Sequence, residues 1–180
     1  MRCTPLSPTR TRGQPCKSCN LMAEIPTINS TVDSRSHTVA GGDCSTSRVI
    51  YAAECTHCHL QYVGQTVNTL RTRINGHRSW MKKKKEEDKR PDAFKRKDDG
   101  ALAEHLKQSH NLIKSEDFDH SYKFHVLVTN PTDFNKCEQL WVDRLCTMQP
   151  LGLNIDKPCE VSAPIMEMAT RQSQSKRKKR

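Results

Sequence analysis

The chain is poor in apolar residues. Hydrophobic side chains make up 34% of its 180 residues, and Tyr, Trp and Phe number only three, two and four. That is low for a fully packed globule of this length, and it predicts a core in the middle of the chain with disordered ends. No run of about 18 apolar residues occurs, so no segment is expected to span a membrane. The start MRCTPLSPTRTRG is polar and basic with no apolar stretch behind it, and the nine cysteines are an odd number. Both features argue against a secreted disulfide framework and for reduced thiols. No internal repeat is visible. What the chain has in excess is positive charge: thirty Lys and Arg against twenty Asp and Glu leave +10. An excess of that size points to a polyanionic partner, with nucleic acid as the default.

Residues 1–45 are rich in Ser, Thr, Pro and Arg without sustained periodicity, which predicts a cysteine-containing leader, either loose or pinned by a metal. A folded domain is expected over residues 46–158. Within it RVIYAAE reads as a buried strand, CTHC as a tight knuckle and LQYVGQT as a second strand, together an antiparallel hairpin. A helix is expected from about Val67, with Thr66 as N-cap, Leu70 and Ile74 continuing the apolar face, and Gly76 weakening the last turn. Residues 81–100 are nearly all charged and contain Pro91, the pattern of a solvated insertion.

Beyond the insertion, ALAEHLKQSH predicts a short helix and YKFHVLV a strand. Residues 131–146 predict a helix, with Phe134, Cys137, Leu140, Trp141 and Leu145 at helical spacing. The order β-β-α-α-β-α places the domain in the α+β class, a small antiparallel sheet flanked by helices. Residues 159–180 read as a disordered basic tail whose last five residues, KRKKR, form either a nuclear-import signal or a nucleic-acid arm. Both readings place the chain in the nucleus; the bland alternative is a solvated charged tail.

Two constellations carry chemistry. The first joins Tyr51 and Tyr62 of the hairpin to Arg73 and His77 of the helix and Glu138 of the last helix. Arg73 and His77 are four apart, so they share a helix face and could hold one phosphate between them. Glu138 adjoins an apolar seam, where a glutamate is costly unless paired or metal-bound. Phosphodiester hydrolysis needs a deprotonated water, an electrophile on the phosphoryl oxygens and relief of charge on the leaving oxygen. A magnesium-type ion on Glu138, Arg73 on the pentavalent charge, and Tyr51 or Tyr62 on the water would meet those needs. A tyrosine acting as base has to come down from a pKa of about 10, and Arg73 is the cation expected to lower it. Spacing alone does not divide the roles of the tyrosines. The bland readings are an exposed helix glutamate and a half-buried strand tyrosine.

The second constellation is Cys55 and Cys58 with His105 and His110, two cysteines and two histidines that fill a zinc tetrahedron with no open position. Such a zinc would staple the knuckle to the helix after the insertion. Histidines five apart diverge on an ideal helix, so His110 is expected past its end. His57 and His59 flank the knuckle as competing ligands, and unrelated core cysteines with surface histidines are the alternative. Cys16, Cys19, Cys44 and His37 form a further candidate set.

The order and spacing of these elements resemble those of GIY-YIG endonucleases. Val49-Ile50-Tyr51 and Tyr62-Val63-Gly64 correspond to the two tripeptides, Arg73 to the helix arginine, His77 to the histidine one turn later, Glu138 to the metal-binding glutamate and Asn154 to the closing asparagine. The resemblance covers about residues 48–156. Val49 stands where the family's first tripeptide has glycine. ECTHCHLQYVG and AEHLKQSH are further similar to the nuclease domain of Penelope-like retroelements, as are the upstream CKSC and Cys44.

The resemblance implies a DNA endonuclease using Mg2+ or Mn2+, with structural Zn2+, that nicks DNA for retroelement insertion. It implies the first tyrosine as base and the second as the residue that positions phosphate or water. Gly64, Asn154, Arg71 and Arg78 are the candidate substrate-binding residues, and a reverse transcriptase domain or its RNA is the implied partner besides DNA. A zinc-stabilised DNA-binding module without cleavage is the rival reading, against which stands the joint presence of Tyr51, Tyr62, Arg73, His77 and Glu138.

Overall fold

The computed structural model describes residues 16–82 and 100–155. The first fifteen residues of the leader, most of the charged insertion and the basic tail lie outside the described residues. In chain order a 3-10 turn (Cys19–Leu21) precedes β1 (Thr27–Asn29) and β2 (Ser36–Thr38). Then follow β3 (Ser47–Cys55), β4 (Gln61–Thr69), α1 (Leu70–Ser79), α2 (Ala101–Ser109), α3 (Ser115–Ser121), β5 (Tyr122–Thr129) and α4 (Phe134–Leu145).

β3 is the middle strand of a three-stranded antiparallel sheet, order β4-β3-β5, and both of its faces are covered. Val49, Tyr51, Ala53 and Cys55 point into a core shared with Leu70 and Ile74 of α1, Leu102 and Leu106 of α2 and Phe118 of α3. Ile50 and Ala52 point the other way, into a core with Trp141, Val142 and Leu145 of α4, and with Ile28 and Val39 of the leader. A strand buried on both sides is apolar without alternation, which is why VIYAA reads as one continuous run. Each fully buried large apolar side chain here stabilises the fold by about 1.5–3 kcal/mol relative to exposure. The mixed α+β architecture is the one expected from the order of elements.

Three expectations need correction. The helix predicted from Val67 begins at Leu70, and its N-cap is Thr69, whose side chain accepts from the Thr72 amide, rather than Thr66. The reason is that β4 keeps pairing with β3 as far as Thr69, across a bulge between Ser47 and Val49. Val67 is therefore an edge-strand residue, 60% exposed. The predicted order also omitted α3, a seven-residue helix with Phe118 as its buried anchor and a reciprocal cap between Lys114 and Asp117. In α4, Leu140 is 48% exposed and Val142 is buried in its stead.

The described part of the leader is packed rather than loose. β1 pairs with β2, the Ala40 and Gly41 amides donate to Leu127 and Val126 carbonyls of β5, and the Ala23 amide donates to Phe124. Among the described residues no helix is long and apolar enough to cross a membrane.

Candidate active site and metal centre

The hairpin sets the site because of one glycine. Tyr51 in β3 is the cross-strand partner of Gly64 in β4. A Cβ on Gly64 would lie 2.6 Å from Tyr51 Oη and 2.8 Å from Tyr62 Cε1, closer than side chains ever approach. The missing side chain lets the Tyr51 ring lie across β4 beside Tyr62, with ring centroids 6.3 Å apart. Gly64 thus acts through packing of the tyrosines.

α1 brings Arg73 and His77 to the same phenol. Leu70, Ile74 and His77 form the buried face of this helix. Tyr51 Oη lies 2.7 Å from His77 Nε2 and accepts a 2.9 Å hydrogen bond from Arg73 Nε–H. The two side chains expected to hold a phosphate between them hold the Tyr51 oxygen instead. Burial, and then the adjacent Arg73 charge, keep the His77 pKa well below the usual histidine value, so the ring is neutral. Its Nδ1 is buried with no hydrogen-bond partner among the described residues.

For Tyr51 the expected sign of the perturbation is reversed. Burial raises its pKa and outweighs the lowering by Arg73, and Glu138 adds a further upward push. Tyr51 is 0% exposed, so desolvation of a phenolate is the largest cost. At neutral pH the residue is a phenol.

Glu138 on α4 is half-buried, and Gln65 Nε2 donates to its Oε2 at 2.8 Å and to Asn135 Oδ1 at 2.8 Å. Gln65 belongs to β4, one residue after Gly64, and faces α4 whereas Tyr62 and Gly64 face α1. Glu138 and Tyr51 therefore lie on opposite faces of the sheet and meet around its edge strand. A groove of about 350 Å³ runs along that edge, lined by Gln65, Asn68, Thr72 and Arg73 among others, and Arg73 is the only charged residue in its described lining. Gln65 and Asn135 were missed by sequence reasoning because neither is charged nor nucleophilic; the signal was their place beside Gly64 and on the glutamate's own helix.

The other predicted binding residues are drawn elsewhere. Arg71 donates through Nε and Nη2 to Cys44 Sγ, both at 3.4 Å. Arg78 pairs with Asp119 of α3, Nε to Oδ1 at 2.7 Å, and lies over the Phe118 ring, which makes it a brace between helices. Asn154 clamps the backbone of Val63, accepting from its amide at 2.9 Å and donating to its carbonyl at 2.8 Å. That clamp ties the end of the domain to the strand carrying Tyr62 and Gly64.

The ligand atoms of Cys55, Cys58, His105 and His110 all lie within 4.8 Å of one another. Cys58 Sγ is 3.3 Å from His105 Nε2, Cys55 Sγ is 3.5 Å from His110 Nε2, and the two Nε2 atoms are 3.2 Å apart. A zinc tetrahedron spaces nitrogen and sulfur donors about 3.3–3.8 Å apart, so the set fits the ion. Burial, with His110 and His57 nearby, holds the His105 pKa down at about 4, leaving the neutral imidazole that ligation requires. Without a cation, burial pushes the Cys55 thiol up to about 11, although the His57 and Cys58 backbone amides point at its sulfur. A bound dication reverses that preference and deprotonates the thiol. His110 lies just past the end of α2, as expected. The flanking histidines are engaged otherwise: His57 with Ser121 Oγ at 3.1 Å and His59 with Glu54 at 2.9 Å. Cys and His donors in this geometry can hold a metal such as zinc.

No curated protein and no solved structure matches the chain. A family model does match, over residues 47–122, from the start of β3 to the start of β5. The matched span holds both tyrosines, Gly64, Arg73, His77 and the four candidate cysteine and histidine ligands, while Glu138 and Asn154 lie beyond it. The stretch from Ser47 to Tyr122 is thus similar to the GIY-YIG catalytic domain, a family of nucleases.

Proposed function

We propose that the chain is a metal-dependent DNA endonuclease in which Tyr51 and His77 together accept the proton of the attacking water. The observation that carries this reading is the single phenol oxygen shared by His77 Nε2 at 2.7 Å and Arg73 Nε–H at 2.9 Å. A buried phenol is no base unless it can pass its own proton on, and a neutral His77 with its hydrogen on Nδ1 offers Nε2 as the acceptor. The water's proton moves to Tyr51 Oη while the Tyr51 proton moves to His77 Nε2. The phenol ends neutral and the imidazole carries the charge. The nascent hydroxide attacks phosphorus and the bond to the leaving oxygen breaks.

Arg73 opposes a charge on His77 in the free protein. A phosphodiester in the groove beside Arg73 offsets that opposition, so proton uptake is favoured only with substrate bound. The same guanidinium stabilises charge building on the phosphoryl oxygens. Glu138, a half-buried carboxylate oriented by Gln65, suits an ion of the Mg2+ or Mn2+ type that keeps several of its own waters. When bound, such an ion supplies electrophilic polarisation and takes charge off the leaving oxygen.

The finer role is nicking of target DNA for retroelement insertion, with a reverse transcriptase domain or its RNA as partner. It is supported by the joint presence of the Tyr51 site and a Cys55, Cys58, His105, His110 cluster like that of Penelope-type nucleases. The run KRKKR supports import into the nucleus. Incubation of supercoiled plasmid with the full chain and Mg2+ tests the core of this reading. Open-circular product from the wild type and none from Glu138→Ala is the expected outcome. Equal nicking by both would remove Glu138 from the site, and DNA binding with no cleavage by the wild type would leave a binding module.

A further inference from the structure

We propose a second metal site: Cys16, Cys19 and Cys44 hold a zinc ion as three thiolates, with Arg71 as its outer partner. The three sulfurs form a closed triangle of 2.9, 3.2 and 3.3 Å. These separations lie far outside the ~2.05 Å of a disulfide and somewhat inside the ~3.8 Å between sulfurs on one zinc, so a small outward shift admits the ion. Cys19 is the least buried of the three, and Cys16 and Cys44 are 4% and 0% exposed. Cys16 and Cys19 sit on a tight turn closed by the Cys19 amide donating to the Cys16 carbonyl at 2.8 Å, the C-x-x-C knuckle of zinc proteins.

Arg71 distinguishes a metal thiolate from a chance meeting of thiols. Its Nε and Nη2 both aim at Cys44 Sγ. Two guanidinium donors on one sulfur suit a thiolate, not a thiol. Three thiolates on a dication leave a single net negative charge, which the guanidinium offsets. His37, the imidazole predicted for this set, is turned away against the Trp141 ring, 5.8 Å between centroids, and takes no part.

The position of the cluster gives it a consequence. The Cys44 carbonyl accepts from the Arg71 amide at 2.7 Å and the Thr46 carbonyl from the Leu70 amide at 2.9 Å, so the cysteine segment caps the first turn of α1. α1 is the helix of Arg73 and His77. The ion ties the leader to that turn and fixes the entry of the helix relative to the sheet.

Zinc counting by native mass spectrometry on the full chain tests this, and it is independent of whether the protein cleaves DNA. The wild type is expected to carry two zinc ions, Cys19→Ser or Cys44→Ser one, and Cys58→Ser one. Arg71→Ala should keep both but weaken one of them about 10–100-fold in chelator competition. With cobalt in place of zinc, the thiolate-to-metal absorption should fall in Cys19→Ser while the band of the Cys55 and Cys58 site persists. Hydrogen exchange at the Leu70 and Arg71 amides should quicken in the same variant. If Cys44→Ser does not fold, the more exposed Cys19→Ser carries the test. A wild type with one zinc that Cys58→Ser removes would overturn the proposal, as would two zincs surviving Cys19→Ser, or a chain lighter by two hydrogens through a Cys16–Cys19 disulfide.

Discussion

The phenol site and the Cys55–His105 site are built from the same parts, yet they are opposite in chemistry. Each takes residues from the β3–β4 hairpin and completes them with side chains from a helix later in the chain. At the candidate metal cluster the four ligand atoms lie within 4.8 Å of one another, and a zinc held by all four would have no open coordination position. At Tyr51 the partners do not cancel. A buried phenol meets a neutral imidazole whose second nitrogen is without a partner among the described residues, and a cation that reaches from there to an open groove. A closed set holds structure together, and an uneven one can accept a proton and an anion. The difference lies in saturation of the donors rather than in burial, since His77 and Cys55 are 1% and 0% exposed.

If that contrast is right, damage to each site should appear in a different measurement. The largest effect expected is on catalysis. Arg73→Ala should slow plasmid nicking by about 10²–10³-fold, the loss typical of one electrostatic contact to a charge-bearing transition state. Its zinc content and melting temperature should stay near wild type, and its DNA affinity should persist through the remaining basic surface. Loss of zinc from Arg73→Ala would blur the division.

Next in size is the converse. Cys58→Ser should lose the ion shared with Cys55, His105 and His110 and lower Tm by more than about 5 °C, because the energy of metal binding is folding energy there. Whatever fraction stays folded should still nick. A folded, fully stable Cys58→Ser chain would refute the structural role.

The smallest effect concerns protonation of His77. Its folded pKa lies well below the unfolded value of 6.5. Below pH 6.5 the unfolded chain takes up a proton that the folded chain refuses, so stability is undiminished above that pH and is lost as pH falls toward the folded value. The slope reaches at most about 1.4 kcal/mol per pH unit for one group. Unfolding free energies of wild type and His77→Gln at fixed zinc should therefore differ by a constant above pH 6.5, with the wild type falling more steeply below it. Parallel curves across that range would mean that His77 takes up its proton equally in the folded and unfolded chain.

Much of both sites was legible in the sequence because their residues crowd into two short stretches with strong local patterns. The knuckle, Arg73 one turn before His77, and His110 beyond the helix end all followed from spacing. The start of α1 did not, because pairing with β3 prolongs β4 to Thr69, and such pairing is a long-range fact. α3 escaped because SEDFDHS has one buried apolar anchor and is held by its cap and by Arg78 rather than by periodicity. The protonation states were the least legible part. Spacing put a cation beside Tyr51 and suggested a lowered pKa, but the enclosing core decides the sign, and no local pattern displays how completely a residue is enclosed. The capping of α1 by the cysteine segment was hidden for the same reason: Cys44 and Arg71 are joined through space and not by spacing.

In the proposed mechanism the Tyr51 hydroxyl takes the proton of water as it gives its own to His77. Tyr51→Phe deletes one oxygen and leaves the ring that packs over Gly64, so the rate of plasmid nicking by this variant in saturating Mg2+ is the most direct measurement. A fall of at least about 100-fold is expected, with zinc content and Tm near wild type, since general-base catalysis contributes about 10²–10⁴-fold. Nicking by Tyr51→Phe within a few-fold of the wild-type rate would contradict it.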